Sequence, residues 1–263
     1  FFLCYNWTML LTIDIGNSNI VVVVYDEHKN RRFDKRYETI KENVEAFYTQ
    51  WIVQELWPLK QSLGIDRFII SSVVPKVTPD FLRLLPKLLE IDGVNLSLDL
   101  VKDFVVKLTQ PKDIGADFIA TSYGAFAKFK MPCVIADLGS ATKLSALSKE
   151  FVFEGGVIIP GIKISRDALS TFIPHLPTVT IEVPKTVIGK DTIHAMESGL
   201  MYGHIDAVIG IAERMAKELG HPTVKILTGG FSNVVYPYMT EFVFEPFLLN
   251  DGLYEIDHFS HQV

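Results

Sequence analysis

Cysteine is scarce in this chain of 263 residues, which contains only Cys4 and Cys133. Two cysteines cannot build a disulfide framework or a cysteine-based zinc site. Such scarcity is typical of proteins from reducing compartments, so we expect a cytoplasmic location.

Long apolar runs and an excess of positive charge are also lacking. No apolar stretch approaches the roughly 18 residues that a membrane-spanning helix needs, so we expect no membrane partner. Lysine and arginine total 25 against 31 acidic residues, a formal net charge of −6. This balance does not favour nucleic acid, which binds to basic surfaces. An anionic ligand would have to be bound by local dipoles, a cation or a few basic side chains, and not by the overall charge of the chain.

The first eight residues have no basic segment and lead directly into a predicted strand, so they do not resemble a signal peptide. We expect Met9 to be the natural start and residues 1–8 to come from an upstream start; the alternative is a true N-terminal extension.

One short pattern occurs twice, about half the chain apart. The copies are Asp14-Ile-Gly-Asn-Ser-Asn19 and Asp137-Leu-Gly-Ser-Ala-Thr142, each between segments rich in β-branched residues. Each predicts a β-hairpin with an aspartate at its tip. Backbone N–H groups, Ser140 and Thr142 could bind phosphate, and the aspartates could bind a cation. The alternative is a plain turn, in which Asp, Gly and Asn are common; the repetition favours a ligand site.

The order of predicted elements is also duplicated. Each half predicts three strands, then a helix, a strand and a helix, which indicates an α/β fold with mixed sheets flanked by helices. We expect halves at 9–130 and 131–263 with a cleft between them. The longest predicted helix is Asp191–Leu219, and Pro86 should kink or end the helix predicted over Thr78–Leu89.

Two further motifs could contribute to a site. Thr228-Gly229-Gly230 follows a predicted strand, where paired glycines would let the chain pass flat against a base or ribose; the alternative is an ordinary turn. Gly115-Ala116-Asp117 opens a predicted helix. Asp117 could be only a helix cap, which the sequence alone favours, or a carboxylate that accepts a proton from a substrate hydroxyl.

Taken in order, these motifs resemble those of the type III pantothenate kinases, in the acetate kinase/sugar kinase/Hsp70/actin superfamily. The resemblance runs from about Met9 to Ile256. Further matching segments are Ser71-Ser72-Val-Val-Pro75, Gly155-Gly156 through Pro160-Gly161, and Gly189-Lys-Asp-Thr192. The resemblance implies duplicated ribonuclease H-like domains of the actin-like ATPase kind.

The resemblance also implies an activity. These enzymes use ATP to phosphorylate pantothenate to 4'-phosphopantothenate, the first step of coenzyme A biosynthesis. They work as homodimers with Mg²⁺ and a monovalent cation, K⁺ or NH₄⁺.

Carried over by motif, Asp117 would accept the proton, Asp137 would bind the monovalent cation, and Thr192 would help bind pantothenate across the dimer interface. The implied ATP-binding residues are Asp14, Ile15, Gly16, Asn17, Ser18, Asn19, Ile20, Val21, Ser140, Gly229 and Gly230. The implied substrate-side residues are Gly115, Ala116, Asp117, Phe118, Leu108 and Thr192.

Four positions depart from the family pattern. Phe118 replaces an arginine, Leu108 a tyrosine, Lys143 a threonine and Ser145 an acidic residue. A phenyl ring cannot replace a guanidinium that binds a carboxylate; Lys143 or Lys163 could supply the lost charge. The alternatives to a pantothenate kinase are therefore a kinase for a different small acceptor and a non-catalytic or regulatory nucleotide-binding relative.

Overall fold

The computed structural model describes residues 9–260, so the interpretation of residues 1–8 and of Cys4 lies outside the described residues. The strands along the chain are β1 Met9–Ile15, β2 Asn19–Asp26, β3 Arg31–Glu38, β4 Ile65–Ser72, β5 Asp92–Asn95, β6 Val105–Val106, β7 Cys133–Leu138, β8 Ala141–Leu147, β9 Val152–Pro160, β10 Val224–Thr228 and β11 Phe242–Phe244. The α-helices are α1 Val44–Trp51, α2 Trp57–Leu63, α3 Thr78–Leu89, α4 Ala116–Phe129, α5 Ile162–Phe172, α6 Thr192–Leu219, α7 Ser232–Val235 and α8 Leu248–Ser260.

The chain divides into two compact units. The first comprises the described residues up to Lys102, Ile114–Gly124 and the described residues from Leu249 onward. The second comprises Asp103–Asp113 and Ala125–Leu248. The halves expected at 9–130 and 131–263, and the cleft between them, stay predictions.

The first unit is built on a sheet of strand order β3-β2-β1-β4-β5. β1, β2 and β3 pair antiparallel, whereas β4 and β5 run parallel to β1. β1 and β2 are apolar and almost entirely buried, as strands covered on both faces must be. β3 forms one edge, and most of its side chains are exposed and charged.

The helix over Thr78–Leu89 forms as expected, but Pro86 does not end it. The helix continues to Leu89 and ends where Glu90 adopts a left-handed conformation, with φ 54°. Leu84, Leu85 and Leu89 are buried in the core of the first unit. This burial holds the last turn in place despite the hydrogen bond that a proline removes.

The second unit repeats this topology. Its strand order is β11-β10-β7-β8-β9-β6, with β7, β8 and β9 antiparallel and β10 and β11 parallel to β7. The order 3-2-1-4-5 of the first sheet therefore recurs as 9-8-7-10-11, and β6 is an addition at the edge beside β9. The prediction of duplicated mixed sheets of the ribonuclease H-like, actin-like ATPase class is confirmed.

The long helix α6 packs on one face of the second sheet. Its residues Leu200, Met201, Ile205 and Val208 join a core with residues of β7 and β8. No helix in the described range 9–260 is long and apolar enough to cross a membrane.

Candidate active site

The turn between β1 and β2 is fixed by backbone hydrogen bonds. The Gly16 N–H donates to the Asn19 carbonyl at 2.9 Å. Thr39, the residue after β3, also stabilises the turn. Its hydroxyl donates a hydrogen bond to the Gly16 carbonyl at 2.7 Å, and its N–H donates one to the Ser18 carbonyl at 3.0 Å. Asn17 and Ser18 remain exposed at the tip. A fixed turn with exposed polar groups is a preorganised surface for phosphate oxygens.

Side chains of the predicted phosphate-binding run 14–21 fall into two groups. Ile15 and Ile20 are fully buried, so they can reach a nucleotide only through their backbone atoms. Asp14, at the end of β1, is partly exposed and lies in register with Ser71 of β4. The Ser71 hydroxyl is buried and has no hydrogen-bond partner among the described residues. A buried hydroxyl of this kind usually has a polar partner, so Ser71 suits a site that receives a ligand, ion or water beside Asp14.

The Gly115-Ala116-Asp117 motif opens α4, as the sequence predicts. The Asp117 side chain is 8% exposed, and its Oδ1 accepts a hydrogen bond from the Phe118 N–H at 2.8 Å. A Cβ on Gly115 would lie 2.4 Å from this oxygen, so only glycine leaves the carboxylate room. Asp117 therefore lies within the first turn of α4 and not at its N-cap, and the hydrogen bond gives its carboxylate the fixed orientation that a proton acceptor needs.

The parallel pairing of β7 and β10 brings Asp137 and Gly229 together, a contact that the two motifs do not predict. Asp137, one residue before the end of β7, pairs with Thr228 at the end of β10, and the chain turns directly after β10 at Gly229, with φ 95°. A Cβ at Gly229 would lie 2.4 Å from Asp137 Oδ1 and 2.5 Å from the Leu138 nitrogen. Both the positive φ and this close approach require glycine.

Lys143 lies directly opposite Asp137 in the β7–β8 pair. Its Nζ is 2.9 Å from Asp137 Oδ2, and the two side chains are 18% and 19% exposed. Lys163, the other candidate for the lost charge, is exposed in the first turn of α5. Counting outward from the hairpin turn would have revealed the Asp137–Lys143 pair, because opposed residues of a hairpin share one face.

Thr142 points to the opposite face of β8 from Lys143. It is fully buried, and its Oγ1 lies 2.9 Å from Nε2 of His204 on α6. Burial lowers the pKa of His204. The Thr142 hydroxyl therefore faces the core of the second unit, and not a ligand as the motif had suggested.

Ser140 is partly exposed to solvent and Gly230 is exposed. A Cβ on Gly161 would lie 2.2 Å from the Ser140 carbonyl oxygen, so Gly161 lets the end of β9 lie against the hairpin tip. Sequence reasoning noted Gly161 as part of a motif without giving this reason.

Thr192 and Leu108 occupy separate parts of the second unit. Thr192 is exposed and begins α6, where Asp191 caps the helix by accepting a hydrogen bond from the His194 N–H at 2.9 Å. Leu108 is partly exposed in the segment after β6. Phe118, also partly exposed, belongs to the first unit.

Metal binding would have to rely on few protein ligands. Residues 9–260 contain no group of three or more His, Cys, Asp or Glu side chains that could hold a metal ion. Mg²⁺ in nucleotide sites is typically held by one or two carboxylates together with phosphate oxygens and water. Asp14, beside the fixed turn and the Ser71 hydroxyl, fits that requirement.

The sequence of this chain is similar to those of known proteins. The family described as Type III pantothenate kinase matches residues 10–214. A type III pantothenate kinase of Shouchella clausii is 34% identical over 85% of this chain and 88% of its own.

Solved structures also share the fold. One is described as a conserved putative Baf family transcriptional activator from Campylobacter jejuni, with a TM-score of 0.63 and 18% identity over 96% of this chain and 100% of that chain. A ROK family glucokinase from Streptomyces griseus, in complex with glucose and AMPPNP, has a TM-score of 0.52 and 11% identity over 97% and 100%. These two show the fold, whereas the match over residues 10–214 and the identity to the Shouchella enzyme show that the chain belongs to the type III pantothenate kinase family.

Proposed function

We propose that this chain transfers the γ-phosphoryl group of ATP to the primary hydroxyl of pantothenate, giving 4'-phosphopantothenate and ADP, the first step of coenzyme A biosynthesis. The observation that carries the proposal is a hairpin whose first strand has an aspartate one residue before its end, found at the same place in two sheets that share five strands in the same order. Family membership supplies the acceptor. The proposed location is the cytoplasm.

The phosphates of ATP are assigned to the first hairpin, residues 14–21. Its tip presents backbone N–H groups and the exposed side chains of Asn17 and Ser18. Asp14 would hold Mg²⁺, which neutralises phosphate charge during phosphoryl transfer. The Ser71 hydroxyl beside it, which has no hydrogen-bond partner within residues 9–260, supports a further polar group at this point. Ser140, Gly229 and Gly230 are assigned to the rest of the nucleotide.

Asp117 is assigned as the proton acceptor. The pantothenate hydroxyl oxygen forms the new bond to the γ-phosphorus as the bond to the ADP oxygen breaks, and the hydroxyl proton passes to the Asp117 carboxylate. The hydrogen bond from the Phe118 N–H fixes the orientation of this carboxylate. Orientation of the attacking group is a large part of what a kinase contributes, because the reaction needs little covalent help from the protein.

The acceptor is assigned to Gly115, Ala116, Phe118, Leu108 and Thr192. Phe118 and Leu108 are apolar where the family pattern has arginine and tyrosine, so the pantothenate carboxylate loses two polar partners. We therefore expect weak pantothenate binding. The same two substitutions favour a second candidate function, a kinase for a different small acceptor. The retained Asp14, Asp117 and Asp137 favour catalysis over a chain without activity.

A homodimer is proposed through the start of α6. Val187, Ile188 and Ile193 are 61%, 73% and 52% exposed there. The segment is held to the helix, since the Ser198 hydroxyl bonds to the Val187 carbonyl and Gly189 lies against Ala195. Exposed apolar side chains close together are typical of interaction surfaces, and Thr192 lies among them. Light scattering should give the mass of a dimer; a monomer that is fully active would contradict this part.

The test is a phosphoryl-transfer assay with ATP, MgCl₂ and KCl, with and without pantothenate, followed by mass spectrometry of the acceptor. We expect phosphopantothenate and ADP in equal amounts. ATP binding without any phosphopantothenate would contradict the proposal, and a screen of other small alcohols would then identify the acceptor.

A further inference from the structure

The family resemblance implies a monovalent cation at Asp137, and the residues present do not fit one. K⁺ needs several oxygen ligands with open lone pairs. Asp137 Oδ2 is already 2.9 Å from the Lys143 ammonium. Oδ1 lies so close to Gly229 that a Cβ there would be 2.4 Å away.

The ammonium is held at this position by the fold of the hairpin. Asp137 and Lys143 are directly opposed in the β7–β8 register, and directly opposed residues have Cβ atoms about 5 Å apart on one face. Both side chains are more than four-fifths buried, at 18% and 19% exposure. Partly buried charges are screened less by salt than exposed ones, so the pair persists at ordinary ionic strength.

The Lys143 ammonium resembles a monovalent cation in charge, size and ability to bind oxygen atoms. It carries one positive charge, it is compact, and its three N–H groups can donate to oxygens around it. A second cation at Asp137 would be repelled by it. Threonine, the family residue at this position, carries no charge and would leave the carboxylate open to an ion from solution.

We infer that the Lys143 ammonium takes the place of the monovalent cation at Asp137, so that neither nucleotide binding nor phosphoryl transfer by this chain requires K⁺ or NH₄⁺. The part that concerns turnover rests on the proposed function; the part that concerns nucleotide binding does not.

The experiment compares the wild-type chain with Lys143→Thr in KCl, NH₄Cl and choline chloride at equal ionic strength. The first readout is the dissociation constant of a non-hydrolysable ATP analogue with MgCl₂, and the second is phosphopantothenate formation. For wild type we expect both to change by less than about twofold between salts. For Lys143→Thr we expect affinity to fall by about tenfold or more in choline and to recover in KCl or NH₄Cl.

Lys225→Thr is the matched control. Lys225 is also a strand lysine of the second sheet, 15% exposed and ion-paired with Glu241 at 2.5 Å, but it lies outside both hairpins and the glycine turn. This variant should behave as wild type in all three salts.

Two outcomes would overturn the inference. One is a wild-type chain whose analogue affinity rises in KCl as much as that of Lys143→Thr. The other is a Lys143→Thr chain that is folded but regains no affinity in any salt, since Lys143 would then contribute something a free cation cannot. Salt-dependent analogue binding of the expected kind without any turnover would instead support the inference and contradict the proposed function.

Discussion

Gly252 of α8 lies directly against the carbonyl group of Ala120 in α4. A Cβ at Gly252 would be 1.8 Å from the Ala120 oxygen and 2.8 Å from the Gly124 nitrogen. Gly252, Ala120 and Gly124 all belong to the first unit, and α4 begins with the turn that carries Asp117. The contact between these helices therefore helps to set where the proposed proton acceptor lies.

Replacing Gly252 by alanine should destabilise the chain, because the two helix backbones must separate to admit a methyl group. Overpacking of this kind typically costs about 1–3 kcal/mol. Urea unfolding followed by circular dichroism measures the loss. The control is Gly203→Ala on α6, where a Cβ meets nothing within 4 Å; it should be neutral or stabilise by up to about 1 kcal/mol. Equal stability of Gly252→Ala and wild type would contradict the close approach.

Asp117→Asn should remove turnover and leave ATP binding intact. The amide oxygen can still accept the Phe118 N–H, so the local structure is kept while the proton acceptor is lost. General-base groups typically contribute about 10²–10⁴-fold to a rate, and we expect a loss in that range. Asp113→Asn, at an exposed residue shortly before α4, should keep full activity. Equal turnover in Asp117→Asn and wild type would exclude the base role.

Phe118→Arg should restore a partner for the pantothenate carboxylate. A hydrogen bond to a charged group contributes about 1.5–3 kcal/mol, so KM for pantothenate should fall by about tenfold or more while KM for ATP stays unchanged. Phe118→Leu serves as the control for loss of the ring. If KM for pantothenate is the same in Phe118→Arg and wild type, the residue at this position does not contact the acceptor.

The chain should lose stability on acidification partly through His204. Burial lowers the pKa of this imidazole in the folded chain. Below the unfolded value of about 6.5 the unfolded chain gains a proton that the folded chain resists, so the free energy of unfolding decreases until the folded pKa is passed. His204→Gln removes this contribution. Urea unfolding at about pH 7.5 and about pH 5.5 should therefore show a smaller decrease for the variant; an equal decrease would place the acid sensitivity elsewhere.

Cys133 should be unreactive while the chain is folded. It is fully buried, and burial raises the pKa of its thiol to about 12. Only the thiolate reacts readily with disulfide reagents. In a Cys4→Ser background, labelling at mildly alkaline pH should be slow in buffer and fast in urea. Fast labelling under native conditions would mean that β7 opens readily.

The sequence predicts those parts of the fold that depend on local pattern. The β-branched runs around Asp14 and Asp137 predict both hairpins, and their repetition predicts the second sheet. The pattern does not predict β5, because Asp92–Asn95 has no apolar alternation and becomes a strand only by pairing with β4.

In the candidate site, too, the features with a local sequence pattern are predicted and those that depend on distant contacts are not. The motif residues identify the Asp117 helix start and the Asp137 turn. Contacts between distant segments have no local signal: Gly229 against Asp137 and Gly252 against Ala120 become visible only after the chain has folded. The family pattern at position 143 also does not predict that Lys143, which replaces threonine, forms an ion pair with Asp137 on the opposite strand.

The composition of β3 has a consequence for how the chain behaves in concentrated solution. As an edge strand it presents unpaired backbone groups to which another copy could add. Four cations, Arg31, Arg32, Lys35 and Arg36, are exposed along it. The exposed Asp34 and Glu38 leave the strand with a net charge of +2, that is four cations less two anions, so a second copy approaching this edge would meet a strand of the same net sign, which opposes strand addition at β3.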